Sequence, residues 1–326
     1  MAVTSPMNFG NLGSTVAIDK LSSQLREYAK AQCTLTSIPR TISVKGGKGG
    51  QNIKVTRAGR LTQEYTTTPL AETARTPDAT MPFDNVTLTL YEYGIAVQHT
   101  DLLEQLAEYD INNAIQRELA QWLAETRDAL IFNQLVATFV KYAPTGTAGA
   151  GAGTWITDGT HATAATRNID SADIVAIKNK LRDTYKAPRF PDGTYHFHAP
   201  ATTLDCILRD SRIQATLIGA YQGARESAPT VNGQLVRWNG ITFIEDNFAI
   251  SPVTTPGFVG GGFMVADDAV AEATALAPRL YLDPSADGAR FHRVVMRGTW
   301  GVKLLWGNDA TDVANNQVRV IQVVGH

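Results

Sequence analysis

Hydrophobic positions along this chain follow two different periods, and the points where one gives way to the other mark its elements. Residues 15–32 carry Val16, Leu21, Leu25 and Tyr28 at roughly helical spacing, and Pro39 ends the segment. That stripe has no helical neighbour close in sequence, so it must bury itself on a distant part of the chain or on another copy. From 40 to 98 the period falls to two. Ile42 and Val44, then Ile53 and Val55, flank Gly46-Gly47-Lys48-Gly49-Gly50, which predicts a hairpin turned by glycines. A polar stretch follows, where Pro69, Pro77 and Pro82 exclude helix. Val86, Leu88 and Leu90 then share one strand face, Gly94 interrupts, and Ile95 and Val97 resume it. These legs hold little core of their own and need a surface from elsewhere.

The strongest helical pattern runs from 110 to 142, with Asp110 as N-cap and Ile111, Ile115, Leu119, Trp122, Leu123 and Leu130 on one face. At 1.5 Å per residue a helix of some 30 residues is about 45 Å long. The Gly-Ala run from 145 to 153 reads as a flexible joint. Residues 169–262 alternate helix and strand. Ser171 is placed to cap a helix bearing Ile174, Ile177, Leu181 and Tyr185; a strand is expected at 194–198, with helices at 200–208 and 213–221. Asn239-Gly240 between two apolar runs predicts a tight hairpin. From 263 to 326 strands dominate, and they are expected to complete the sheet that begins near Val86. The fold class is α+β, with a discontinuous first domain.

Composition narrows the function. A chain of 326 residues suits about two domains of roughly 150 residues. Its 29 Lys and Arg against 31 Asp and Glu exclude a whole-chain electrostatic grip on nucleic acid or anionic lipid. No secretory signal is expected from the opening residues, and no apolar stretch approaches the roughly 20 residues that span a bilayer. Cys33 and Cys206 lack a CxxC spacing; an intramolecular bridge between them is one reading, and two reduced thiols in a cytosolic product are the one expected.

Signatures of catalysis fail. There is no GxxxxGK loop followed by Ser or Thr, no GxSxG elbow, no HExxH, and no GxGxxG between strand and helix. His196 and His198, two apart on a strand, point the same way and could chelate a metal. No carboxylate stands at a fixed ligand spacing, so ordinary strand histidines are expected. Asp205, Asp210 and Asp268 have no sequence link to either. The expectation is a chain that is not an enzyme and has no catalytic residue, cofactor or metal.

Charge is more informative locally. Between 40 and 64, Arg40, Lys45, Lys48, Lys54, Arg57 and Arg60 face the single acid Glu64. Between 101 and 128, Asp101, Glu104, Glu108, Asp110, Glu118, Glu125 and Asp128 outweigh Arg117 and Arg127. A basic hairpin and an acidic helix on one chain can be complementary between copies. They can equally be two separately solvated faces, and the hairpin could also touch phosphates. Lys45, Lys48, Lys54, Arg57 and Arg60, with Glu104, Glu108, Glu118 and Glu125, are the candidate intersubunit contacts. Reversing Arg57 or Arg60 is expected to impair assembly while leaving the subunit folded.

The order of elements resembles the Hong Kong-97-type fold of tailed-bacteriophage coat proteins. Tyr93-Gly94-Ile95-Ala96-Val97-Gln98-His99-Thr100-Asp101, preceded by Pro69-Leu70-Ala71-Glu72, is similar to the extended leg and G-x-x-V-x-x-T-D turn of one coat-protein group. Tyr195-His196-Phe197-His198-Ala199-Pro200, with Leu204 and Leu208-Arg209-Asp210, resembles that group's central strand and helix. The run from Gly233 through Trp238-Asn239-Gly240-Ile241 to Asn247 resembles its hairpin, and Gly298-Thr299-Trp300-Gly301-Val302-Lys303 a late strand. The resemblance implies an N-terminal arm (1–40), an E-loop hairpin with first P-domain strands (41–98), a P-domain spine helix and linker (99–168), an A-domain (169–262) and returning P-domain strands (263–326).

It also implies a function: hexamers and pentamers of this chain forming an icosahedral head around phage double-stranded DNA, built in the host bacterial cytoplasm. The partners implied are the chain itself, with scaffolding, portal and decoration proteins as further candidates, DNA touched only non-specifically, and no membrane. No long charged helix precedes the arm, so a fused scaffolding domain is not expected. No pattern at Lys45, Lys48 or Lys54 supports a covalent crosslink. The rival readings are another repeating structural protein, such as a tail or surface-layer subunit, and a soluble α/β hydrolase or binding protein.

Overall fold

The computed structural model describes residues 33–43, 50–59, 76, 78–107, 110–159, 165–215, 230–231, 234–235, 237–248, 261–286, 288, 290–306 and 317–324. The helix expected at 15–32 and the glycine turn at 46–49 lie outside them. A 3-10 turn, Leu35–Ser37, precedes β1 (Arg40–Ser43), β2 (Asn52–Ala58), β3 (Phe83–Thr89) and β4 (Tyr91–Thr100). Thr100 then caps α1 (Asp101–Leu106) by accepting the Leu103 N–H at 3.3 Å, which accounts for the Thr-Asp motif. Asp110 caps α2 (Ile111–Val136) as its position suggested, accepting the Asn113 N–H at 3.1 Å.

Helix α2 has 26 residues, about 39 Å at the standard rise, and stops six residues short of Tyr142. Tyr142 belongs instead to β5 (Lys141–Ala143), which pairs with β6 (Thr154–Ile156). The Gly-Ala run between them is therefore a hairpin loop and not a joint between domains. It is tied down: the Gly149 N–H donates to Asp170 at 2.6 Å, and a side chain at Gly153 would collide with the Tyr142 ring. Helix α3 (Ser171–Asn179) is capped by Asp170 rather than Ser171, with Asp173 completing a reciprocal capping box.

Next come β7 (Tyr195–Ala199), α4 (Ala201–Leu208), β8 (Thr230–Val231), β9 (Gln234–Leu235), β10 (Arg237–Trp238) and β11 (Ile241–Glu245). Asn239 and Gly240 turn β10 into β11 with φ of 50° and 73°, the conformation that favours this dipeptide. The chain ends with β12 (Gly262–Val265), β13 (Val270–Ala286), β14 (Phe291–Leu304) and β15 (Val320–Val323).

Two principal sheets result. One has the order β1-β13-β14-β4; the other has the order β10-β11-β7-β12-β15-β5-β6. Strands β2 and β3 form a separate ribbon, and β8 and β9 another. Three expectations change here. The strands on either side of the glycine run do not pair with each other: β1 runs parallel to β13, and β2 pairs with β3. Val86 itself lies on β3, outside the sheet that the terminal strands join; among the described residues β13 and β14 join the sheet containing β4. Strands β12 and β15 sit inside the seven-stranded sheet with β7.

Helix α2 serves both sheets. Its first half packs Ile111, Ile115 and Leu119 on Val294 and Met296 of β14. Its second half buries Ile131, Phe132 and Leu135 against Phe263, Val265 and Val320 of the larger sheet. The other face of that sheet meets Ile174, Ile177 and Leu181 and the α4 residues Leu204 and Ile207.

Candidate assembly surface

Alternate side chains of a two-stranded ribbon face opposite ways, and β2–β3 sorts by that rule. The cross-strand pairs Ile53–Leu88 and Val55–Val86 face the chain's own β13 residues Ala271 and Ala273. The described part of the hairpin thus finds its missing surface on its own subunit. Lys54–Thr87 and Thr56–Asn85 face outward, the second joined by a 2.9 Å hydrogen bond between side chains. Gly301 makes the close approach possible, because a Cβ there would collide with the Thr89 carbonyl oxygen.

Of the basic candidates, Lys54 stands exposed on the outer face, while Lys45, Lys48 and Arg60 lie outside the described residues. Arg57 has the parity of Ile53 and Val55 and turns inward, 7 % exposed. Its Nη1 donates to the Leu305 carbonyl at 2.6 Å, its Nη2 pairs with Asp84, and its guanidinium lies 5.2 Å from the centre of the Trp306 ring. Arg319 lies 4.5 Å from the centre of the same ring and binds Asp268 at 3.0 Å. Reversing the charge of Arg57 would break the subunit's own packing, contrary to the expectation that the fold would survive it.

Two of the acidic candidates, Glu104 and Glu125, are likewise engaged locally. Glu104, exposed on α1, lies 3.3 Å from the ring of buried His99 and accepts Asn112 Nδ2 at 2.8 Å. His99 stacks on its cross-strand partner His292 at 5.5 Å between ring centres. Glu118 and Glu125 are half-buried on α2, Glu125 accepting Gln121 Nε2 at 2.9 Å; Glu108 lies outside the described residues. On the same helix, Arg127 makes a two-pronged bond to Glu272 of β13, at 3.0 and 2.7 Å. Sequence reasoning missed Asp84, Glu272 and Trp306. Alternation could have placed Arg57 inward, but its partners sit 27 and 248 residues away.

His196 and His198 occupy unlike surroundings, with 6.3 Å between ring centres. His196 stacks on Phe190 at 3.9 Å and lies 3.1 Å from Asp192. His198 is fully buried, neither ring nitrogen has a hydrogen-bond partner among the described residues, and burial pushes its pKa down to about 3. Among the described residues no group of three or more His, Cys, Asp or Glu is placed to hold a metal ion. None of the helices there is long and apolar enough to cross a membrane.

No protein-family model and no curated protein matches this sequence. Solved structures do match it. The acid-stable capsid of Helicobacter pylori bacteriophage KHP30 gives a TM-score of 0.69 at 13 % identity, over 98 % of this chain and 99 % of that one. The capsid asymmetric unit of cyanophage Pam1 gives 0.67 at 14 %, over 94 % and 96 %. The capsid of cyanophage P-SCSP1u gives 0.63 at 13 %, over 100 % and 99 %. At identities this low the likeness speaks for architecture, and by it the chain has the Hong Kong-97-type fold of phage capsid proteins.

Proposed function

We propose that this chain is the major capsid protein of a tailed bacteriophage, a structural protein without catalytic activity. In this reading it assembles as hexamers and pentamers into an icosahedral head that encloses double-stranded DNA. The observation that carries the proposal is the end-to-end likeness to subunits of phage capsids, which leaves almost no part of either chain over. A fold shared over its whole length, with no enzymatic motif in the sequence, favours a shared structural role.

The proposal assigns the outward face of the β2–β3 ribbon, with Lys54, to contacts between copies. Lys45, Lys48 and Arg60 are further candidates on the basic side, and Glu104, Glu108, Glu118 and Glu125 on the acidic side. Many modest contacts, each repeated by symmetry, hold a shell that no single contact would. Scaffolding, portal and decoration proteins are candidate partners, DNA contact is non-specific, and the host cytoplasm is the place of assembly.

Negative-stain microscopy of the purified full chain tests this. Closed spherical particles are the expected result. Tubes or sheets would assign the chain to another class of repeating structural protein. A monomer that persists at high concentration would overturn the proposal.

A further inference from the structure

Residues 1–32 join the described fold through the short segment 33–38, and two acids from different elements hold that segment. Asp128, on α2, accepts the Leu35 N–H at 2.8 Å through Oδ1. Asp246, just beyond β11, accepts the Thr34 hydroxyl at 2.7 Å through Oδ2 and the Phe248 N–H at 3.1 Å through Oδ1. Both acid side chains are 0 % exposed. Leu35 and Ile38 pack into the core beside Ile131, Phe132 and Leu135, so the segment also seals the pair from water. One oxygen of the pair, Asp128 Oδ2, is buried with no hydrogen-bond partner among the described residues.

Two anions held together away from water are costly. A proton on one carboxyl removes the repulsion and turns the unpartnered oxygen into a donor. We propose that Asp128 carries this proton in the closed subunit, and that its ionisation loosens segment 33–38 from α2 and from the end of β11. The pair is then a proton-controlled latch at the root of the N-terminal segment. Nothing in this depends on the chain being a capsid protein.

The surroundings agree. Burial first, and then the charge of Asp246, push the Asp128 carboxyl up to about 7, while hydrogen bonds from the Leu35 and Thr36 amides favour the anion. On the segment itself, burial and the acids Asp128, Glu125 and Asp246 push the Cys33 thiol up to about 11, so it stays neutral. On α2 the nearby charges are Glu125 and Arg127, and Arg127 is engaged with Glu272. On β7, beside β11, His198 is neutral through the same range.

A raised folded-state value means that the stabilisation is complete below about pH 4 and is lost as the pH rises through about 7. The equilibrium constant for opening the segment therefore rises by several tens of fold between about pH 5 and 7 and levels off above about pH 8.

Amide hydrogen exchange on the full chain tests the latch, with wild type and Asp128→Asn compared at each pH so that intrinsic exchange chemistry cancels. Asparagine keeps the acceptor for Leu35 and carries no charge. The ratio of exchange rates at Leu35 and Thr36, wild type over variant, is expected to rise several tens of fold from pH 5 to 7. Infrared spectroscopy of wild type should show a buried carboxylic-acid carbonyl band at pH 5 that is lost by pH 9. If Asp128→Asn does not fold, Asp246→Asn serves, and it should move that titration to lower pH. A flat ratio, or the lack of a protonated carboxyl band at pH 5, overturns the proposal.

Discussion

Arg57 and Asp84 face each other across the legs of the β2–β3 ribbon, and the Arg57 guanidinium that pairs with Asp84 also donates to the Leu305 carbonyl beyond the end of β14. One side chain therefore closes the ribbon on itself and ties it to the sheet below. Arg57→Ala removes both bonds and leaves a buried carbonyl without that donor, at a cost of about 1–3 kcal/mol. Urea unfolding should register the loss, and limited proteolysis should cut the ribbon faster. Lys54→Glu, on the exposed face three residues away, should change stability by no more than about 0.5 kcal/mol. In that variant particle yield, read by microscopy, is the quantity expected to fall.

Gly301 lies where β14 passes under the Thr89 carbonyl, and backbone there cannot yield as a flexible side chain can. Gly301→Ala should push ribbon and sheet apart and cost about 1–3 kcal/mol or more. A lowered thermal midpoint with undiminished helix signal by circular dichroism is the expected result.

Glu272 is buried on β13 and is neutralised by Arg127, which reaches it from α2. Arg127→Ala strands a carboxylate in the interior and should cost about 3–5 kcal/mol. The double variant Arg127→Leu with Glu272→Leu should recover much of that stability. Denaturant midpoints of the two singles and the double would show it; additive losses would argue against coupling.

Two buried groups should oppose each other in the pH profile. His198 folds as the neutral ring, its pKa held down to about 3 by burial. An unfolded histidine takes its proton near 6.5, so the stability His198 contributes is whole above about pH 6.5 and is lost as the pH falls towards 3. Asp128 acts in the other direction, losing its contribution as the pH rises through about 7. His198→Leu should flatten the acid limb by up to a few kcal/mol, and Asp128→Asn should flatten the neutral one. Equilibrium unfolding across about pH 4 to 8 separates the two.

Local signals carried much of the architecture. The apolar spacing from Ile111 to Leu119 with Asp110 ahead of it placed α2, and Asn239-Gly240 placed the β10–β11 turn. Alternation marked an apolar face on each of two strands, at Ile53 and Val55 and at Val86 and Leu88, but not that these strands pair. It could not say what covers that face, and the answer is the chain's own β13. The end of α2 was misjudged for a related reason. Val140 and Tyr142 continue the apolar pattern, yet the backbone of Lys141 and Tyr142 pairs with Gln322 and Val323, some 180 residues on.

What the amino-acid sequence determined by itself, among the described residues, is most of the inventory: which stretches are helix or strand, which faces are apolar, and where the Asn239-Gly240 turn falls. Those properties depend on residues a few positions apart. Only the tertiary structure decided that β1 joins β13, that β12 and β15 enter the larger sheet, and which distant groups Arg57 and Asp128 meet in the interior. Strand pairing and charge burial join residues distant along the chain, and a periodic pattern specifies a face without specifying its partner.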